Sequence, residues 1–237
     1  MTVHESETIG EIVARDYRAA AVFQRHGVDF CCGGRRSLDE ACREQGIPTA
    51  ALVAELLGVP AGRGEAPDFA SWPPEPLIDH IVTRHHAYVK RTLPVLTGYT
   101  RKLASVHGER HPELHAVAEH VEQVAAEMTA HMLKEEQVLF PYIASLAAAA
   151  RQDQQPEPSP FGSVANPITM MEAEHRSAGD EMAAIRRLTG GYQVPADGCV
   201  TYRVCFQELE AFERDLHEHV HLENNILFPA ALKLEAS

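Results

Sequence analysis

Apolar residues at Ile9, Ile12, Val13, Tyr17, Ala20, Ala21 and Phe23 recur close to the helical repeat, so the chain opens on a helix that turns one face to a core. A glycine-bearing break, Phe30-Cys31-Cys32-Gly33-Gly34, ends that stretch. Ser37-Leu38-Asp39-Glu40 has the form of a capping box and predicts a second helix, and a third covers Thr49 to Leu57. From Gly58 the chain turns rich in Gly and Pro and ends in Trp72-Pro73-Pro74-Glu75-Pro76, which cannot continue a helix. Four longer helical patterns follow, over Leu77 to Val106, Pro112 to Ala150, Pro167 to Leu188 and Gly198 to Leu234. The polar, proline-bearing stretch Arg151 to Pro160 falls among them. The fold predicted is all-α: a small helical domain over 1–60, a Pro/Gly linker over 61–76 and an up-down four-helix bundle over 77–237.

The bundle pattern repeats. His131-Met132-Leu133-Lys134-Glu135, followed by Leu139-Phe140-Pro141, recurs 88 residues later as His219-Val220-His221-Leu222-Glu223, followed by Leu227-Phe228-Pro229. Histidines stand upstream at nearly matching distances, His86 before the first copy and His175 before the second. Two related helical hairpins account for this.

Composition narrows the chemistry. The 45% hydrophobic content supplies a full core, and only 6% is aromatic while Ala, Leu, Glu and Arg are plentiful, which suits helices. A formal charge of −13 opposes binding to phosphate backbones, so no nucleic-acid partner is expected and cations are the natural guests. The start of the chain lacks a signal-peptide pattern and no run approaches a membrane span, so a cytoplasmic protein without a membrane partner is expected. Five cysteines at 31, 32, 42, 199 and 205 do not form a secreted disulfide framework. Fourteen histidines, most of them from His80 onward, point to metal.

A His and a Glu four apart on a helix share one face, so both can reach a metal beside it. A single such pair is commonly a surface contact. Two copies in apolar helices, where buried charge is costly unless coordinated, select the metal reading. With one histidine from each remaining helix, the set is His131, Glu135, His175, His219, Glu223 and one of the neighbours His85 and His86. Four imidazoles and two carboxylates suffice for two metals with carboxylate bridges, and a set without thiolate suits iron or manganese. Glu136 points about 100° away from Glu135 and reads as a solvated residue or one that supports a ligand from behind. Glu127, one turn before His131, is the carboxylate placed to orient a ligand or handle protons, unless it is simply a surface group. His80, His120, His217 and His221 read as surface or supporting histidines, and Asp215 and Glu218 as a solvated acidic face. Cys31 and Cys32 are either accessible thiolates for iron transfer or redox exchange, helped by a nearby helix start, or small residues closing a turn. Cys42, Cys199 and Cys205 read as packing residues.

Taken together, Asp29-Phe30-Cys31-Cys32-Gly33-Gly34, Arg84-His85-His86, His131 to Gln137, Glu174-His175 and His219 to Pro229 resemble the haemerythrin-like RIC family of iron–sulfur cluster repair di-iron proteins, over nearly the whole chain. The resemblance assigns the first-helix ligand to His86 and implies two bridging glutamates and two non-haem irons per chain; spacing alone does not exclude manganese. It marks the first domain as ScdA-type. It further implies repair of clusters damaged by oxidative or nitrosative stress, with damaged iron–sulfur proteins and a diatomic molecule, NO or O2, as partners. Nitric oxide reduction at the di-iron centre and a homodimer are left open. The competing readings are a haemerythrin-like gas sensor and an iron store or chaperone without turnover.

Overall fold

The computed structural model describes residues 3–59, 68–156 and 158–236. Most of them are helical, and among them no strand forms; Thr8 and Ser37 make an isolated antiparallel bridge. Residues 60–67, which include the start of the expected linker, lie outside the described residues. No helix among those described is long and apolar enough to cross a membrane.

The chain divides into two compact units. The first comprises residues 1–78, 143–158 and 218–237. It opens with α1 (Ile9–Arg15) and α2 (Ala20–Arg25), followed by α3 (Leu38–Gln45) and α4 (Thr49–Leu57). The opening helix expected from the apolar repeat is interrupted at Asp16, whose backbone is extended and whose side chain accepts from the Arg18 amide. Capping competes with helix propagation there. The Ser37–Glu40 capping box forms as the sequence predicts, and Thr8 with Glu11 makes a second one. Gly46 ends α3 in the left-handed conformation that glycine adopts at low cost. The starts of α1 and α3 are tied by Ile9 N–H to Arg36 O, Gly10 N–H to Gly34 O and Leu38 N–H to Glu7 O. Ile9, Ile12, Phe23, Leu38, Leu52 and Leu56 fill this core with no exposed surface.

The second unit, residues 79–142 and 159–217, contains the four-helix bundle. A helix that starts at α5 (Pro74–His80) passes through a π-helical stretch, Ile81–His86, into α6 (Ala87–His107). A short turn leads to α7 (Glu113–Lys134), then the π-helical Glu135–Leu139 and α8 (Phe140–Arg151). The bundle is completed by α9 (Ala165–Leu188) and by α10 (Val200–Leu222) as far as His217. A third π-helical stretch, Glu223–Leu227, and α11 (Phe228–Glu235) continue α10. Helix α7 packs between α6 and α9. Helix α10 meets α6 through the stacked rings of Tyr88 and Phe212, and α9 through the buried Glu213, which accepts from Arg186 and Tyr192. An ion pair with a further hydrogen bond is what makes burial of that carboxylate tolerable. The four long helices start and stop within a few residues of the sequence-predicted limits.

Two of the three π-helical stretches fall just before the repeated Leu-Phe-Pro, where Pro141 and Pro229 have no N–H for the carbonyl four residues earlier. Phe140 and Phe228 donate to carbonyls five residues back, those of Glu135 and Glu223.

Candidate metal centre

Within the bundle unit the structure brings together four of the expected ligands. His86, on the last residue of the first π-helical stretch, and His131, Glu135 and His175 are all buried. One oxygen of Glu135 faces the Nε2 of His131 at 3.2 Å and the Nε2 of His86 at 3.4 Å. The Nε2 of His175 lies 2.9 Å from that of His131. His131, Glu135 and His175 can each offer a donor atom within 4.8 Å of the others, the spread a single cation can gather.

The far sides of two rings are fixed by carboxylates. The Nδ1 of His86 meets Glu136 at 2.8 Å, and the Nδ1 of His131 meets Glu174 at 2.9 Å. Lys90 and Lys134 in turn pair with Glu136 and Glu174. Burial on its own would raise both carboxyl pKa values, but the hydrogen bonds from lysine and histidine outweigh it and hold them below the ordinary value. An anionic carboxylate keeps the proton on Nδ1 and leaves the inward Nε2 as a lone pair. Nitrogen lone pairs and a carboxylate aimed at one another in a dry site repel unless a cation lies among them. The donor set therefore fits a metal, and its nitrogen and oxygen chemistry fits iron or manganese.

In the other unit, His219 and Glu223 repeat the His131–Glu135 arrangement. Both are fully buried, with Nε2 of His219 at 3.0 Å from Glu223. The glutamate again opens a π-helical stretch, as Glu135 does.

Other candidates fall elsewhere. His85 is as buried as His86 but turns its Nδ1 to Asp215 at 3.1 Å, so the acidic side chain read as solvated has a histidine partner. Glu127 accepts from Gln123 and Ser177, whereas Glu136 and Glu174 are the carboxylates that meet His86 and His131. His221 is buried against Tyr17 and Phe30, and burial pushes its pKa down to about 4. His120 pairs with Glu181, while His80 lies edge-on to His85. Cys42 and Cys205 are buried; Cys199 is exposed and touches His107.

Cys31 and Cys32 occupy the loop after α2. The Asp29 carboxylate accepts from both of their amides and from the Cys31 thiol, and the two sulfurs stand 4.0 Å apart. The Cys32 hydrogen bond, burial and the charge of Asp29 raise the Cys31 thiol pKa well above its ordinary value, opposite to the lowering expected from a helix start. Asn225, two residues after Glu223, donates to the carbonyls of Phe30 and Cys31. A Cβ at Gly10 or Gly34 would meet its Oδ1 at 2.5 or 2.3 Å, so glycine is what lets the amide in. Sequence spacing gave no sign of this anchor, because it joins residues nearly the whole chain apart.

Residues 77–231 match the Hemerythrin HHE cation binding domain, and residues 5–59 match ScdA_N, a domain of unknown function (DUF542). The chain is thus a haemerythrin-like helical-bundle protein. It is 35% identical to the iron-sulfur cluster repair protein YtfE of Musicola paradisiaca (strain Ech703), over 98% of this chain and 99% of that protein. The proteins of the same name from Yersinia pestis (strain Pestoides F) and Yersinia pseudotuberculosis serotype O:1b (strain IP 31758) are 34% and 33% identical over equal shares. The chain belongs to this iron–sulfur cluster repair family.

Glu136→Gln and Glu174→Gln each remove the anion that orients a ligand imidazole while keeping its shape. Each is expected to weaken metal retention by roughly 10–100-fold, read as metal left after timed exposure to a chelator. Glu127→Gln should match the parent protein in that assay.

Proposed function

We propose that His86, His131, Glu135, His175, His219 and Glu223 together hold two non-haem irons, and that the protein uses this centre to restore iron–sulfur clusters damaged by oxidative or nitrosative stress. The observation that carries the reading is the pair of buried imidazoles locked by Glu136 and Glu174 around Glu135, repeated in sequence by His219 and Glu223. When bound, two irons in such a nitrogen and oxygen set supply redox-active, partly open coordination able to take a small diatomic molecule such as nitric oxide or O2. The chain's own part is to fix tautomers through Glu136 and Glu174 and to spread charge through Lys90 and Lys134. Phe140, stacked on His86, helps to keep the site dry. Damaged iron–sulfur proteins are the partners this reading requires, in the cytoplasm.

The test is restoration of a purified [4Fe–4S] enzyme inactivated by nitric oxide or peroxide. The iron-loaded chain should return activity, and His131→Ala should not. Equal recovery with parent and variant, or none with either, would overturn the reading.

A further inference from the structure

We infer that Asp29, Cys31 and Cys32 form a second cation site, separate from the histidine and glutamate centre, for a thiophilic divalent ion such as ferrous iron. The three side chains offer two sulfurs and one carboxylate oxygen, all within 4.8 Å of one another. Two thiolates at about 2.3 Å from one tetrahedral ion stand roughly 3.8 Å apart. The 4.0 Å between the Cys31 and Cys32 sulfurs is close to that and about twice the length of a disulfide bond. Asp29 is exposed and Cys32 half-buried, which leaves an approach from solvent and room for a fourth ligand from water or a client protein.

The loop is also held in place before any ion arrives. Asp29 fixes both cysteine amides, Arg36 donates to the carbonyls of Gly33 and Asp29, and Asn225 fixes those of Phe30 and Cys31. A loop tied at this many points spends little conformational entropy on binding. Binding is balanced by proton loss: a divalent ion and two thiols give one dithiolate-bound ion and two protons, with no change of oxidation state. The anchor Asn225 sits two residues beyond Glu223 in the same π-helical stretch, so loop and ligand are carried by one rigid turn. As a holding point for iron entering or leaving the main centre, the site rests on the function proposed above; as a cation site it does not.

Co(II) titration of the reduced full-length chain tests it, read by near-ultraviolet sulfur-to-cobalt charge-transfer absorption, which histidine and glutamate ligands do not give. One equivalent of that absorption is expected, abolished in Cys31→Ser and in Cys32→Ser. Asp29→Asn keeps an acceptor for the two amides but loses the anionic ligand, and should weaken binding about 10-fold. In parallel, bound Co(II) should protect Cys32 from alkylation in the parent chain. Absence of the sulfur absorption in the parent, its persistence in the double serine variant, unaltered affinity in Asp29→Asn or unprotected Cys32 would overturn the site. The part of the band lost in the serine variants reports this loop, whereas iron in the bundle is counted separately, so failure of one leaves the other standing.

Discussion

Glu135→Ala and Glu223→Ala should each purify with less than about half the iron of the parent protein, because a carboxylate shared between two cations neutralises and spaces both. Glu135 has the stronger structural case: a single one of its oxygens faces two imidazole nitrogens, so truncation leaves His86 and His131 with no anion between them. The residual metal should also leave faster in the presence of a chelator. His86→Ala should behave like the glutamate variants, while His85→Ala, which removes a partner of Asp215, should keep its iron. His80→Ala serves as the control. Helical content by circular dichroism separates lost ligands from lost fold. Equal iron in all of these variants would reject the ligand set.

The positions of the proposed ligands were legible because helices convert spacing into direction. A His and a Glu four apart share a face, and the pair occurs twice, 88 residues apart. The long helices were legible for the same reason. Spacing left Glu136 between a solvated and a supporting role, named no imidazole partner for it, and gave no sign of Glu174. Glu136 reaches His86 across 50 residues and Glu174 reaches His131 across 43, and partners on different helices leave no local signature. Glu127 matched the helical face of His131 yet its carboxylate is taken up by Gln123 and Ser177. The π-helical openings leave no periodic signature in the sequence, since one extra residue in a turn barely shifts the apolar pattern. For His221 the pattern leaves surface and supporting roles open, because it says nothing about Tyr17 and Phe30, which pack against it. Accessible and buried readings of Cys31 both stayed open in the sequence, because the Asn225 that holds its carbonyl lies far along the chain.

The double variant Cys31→Ser, Cys32→Ser should keep the iron of the histidine and glutamate centre and its spectrum but lose most of its ability to restore a damaged cluster, a drop of at least about 10-fold in recovered enzyme activity. Serine preserves the size of each side chain, and the Asp29 contacts to the backbone amides survive the exchange, so the loop should stay folded. Sulfur donors are what the substitution removes. Restoration at the parent level in this variant would reduce the two cysteines to packing residues and leave the repair function to the bundle alone. Loss of iron from the histidine and glutamate centre of the variant would point instead to a structural role for the loop, whose Cys31 carbonyl is held by Asn224 and Asn225.

The di-iron assignment itself stands or falls on metal counted per chain. The Cys31→Ser, Cys32→Ser protein, which lacks the separate cysteine site, expressed in iron-replete medium and purified without oxygen should contain about two irons per chain and little zinc, since the six proposed nitrogen and oxygen ligands exceed what one ion with an open position can use. A reproducible content near one metal per chain, or zinc retained in place of iron under those conditions, would contradict it.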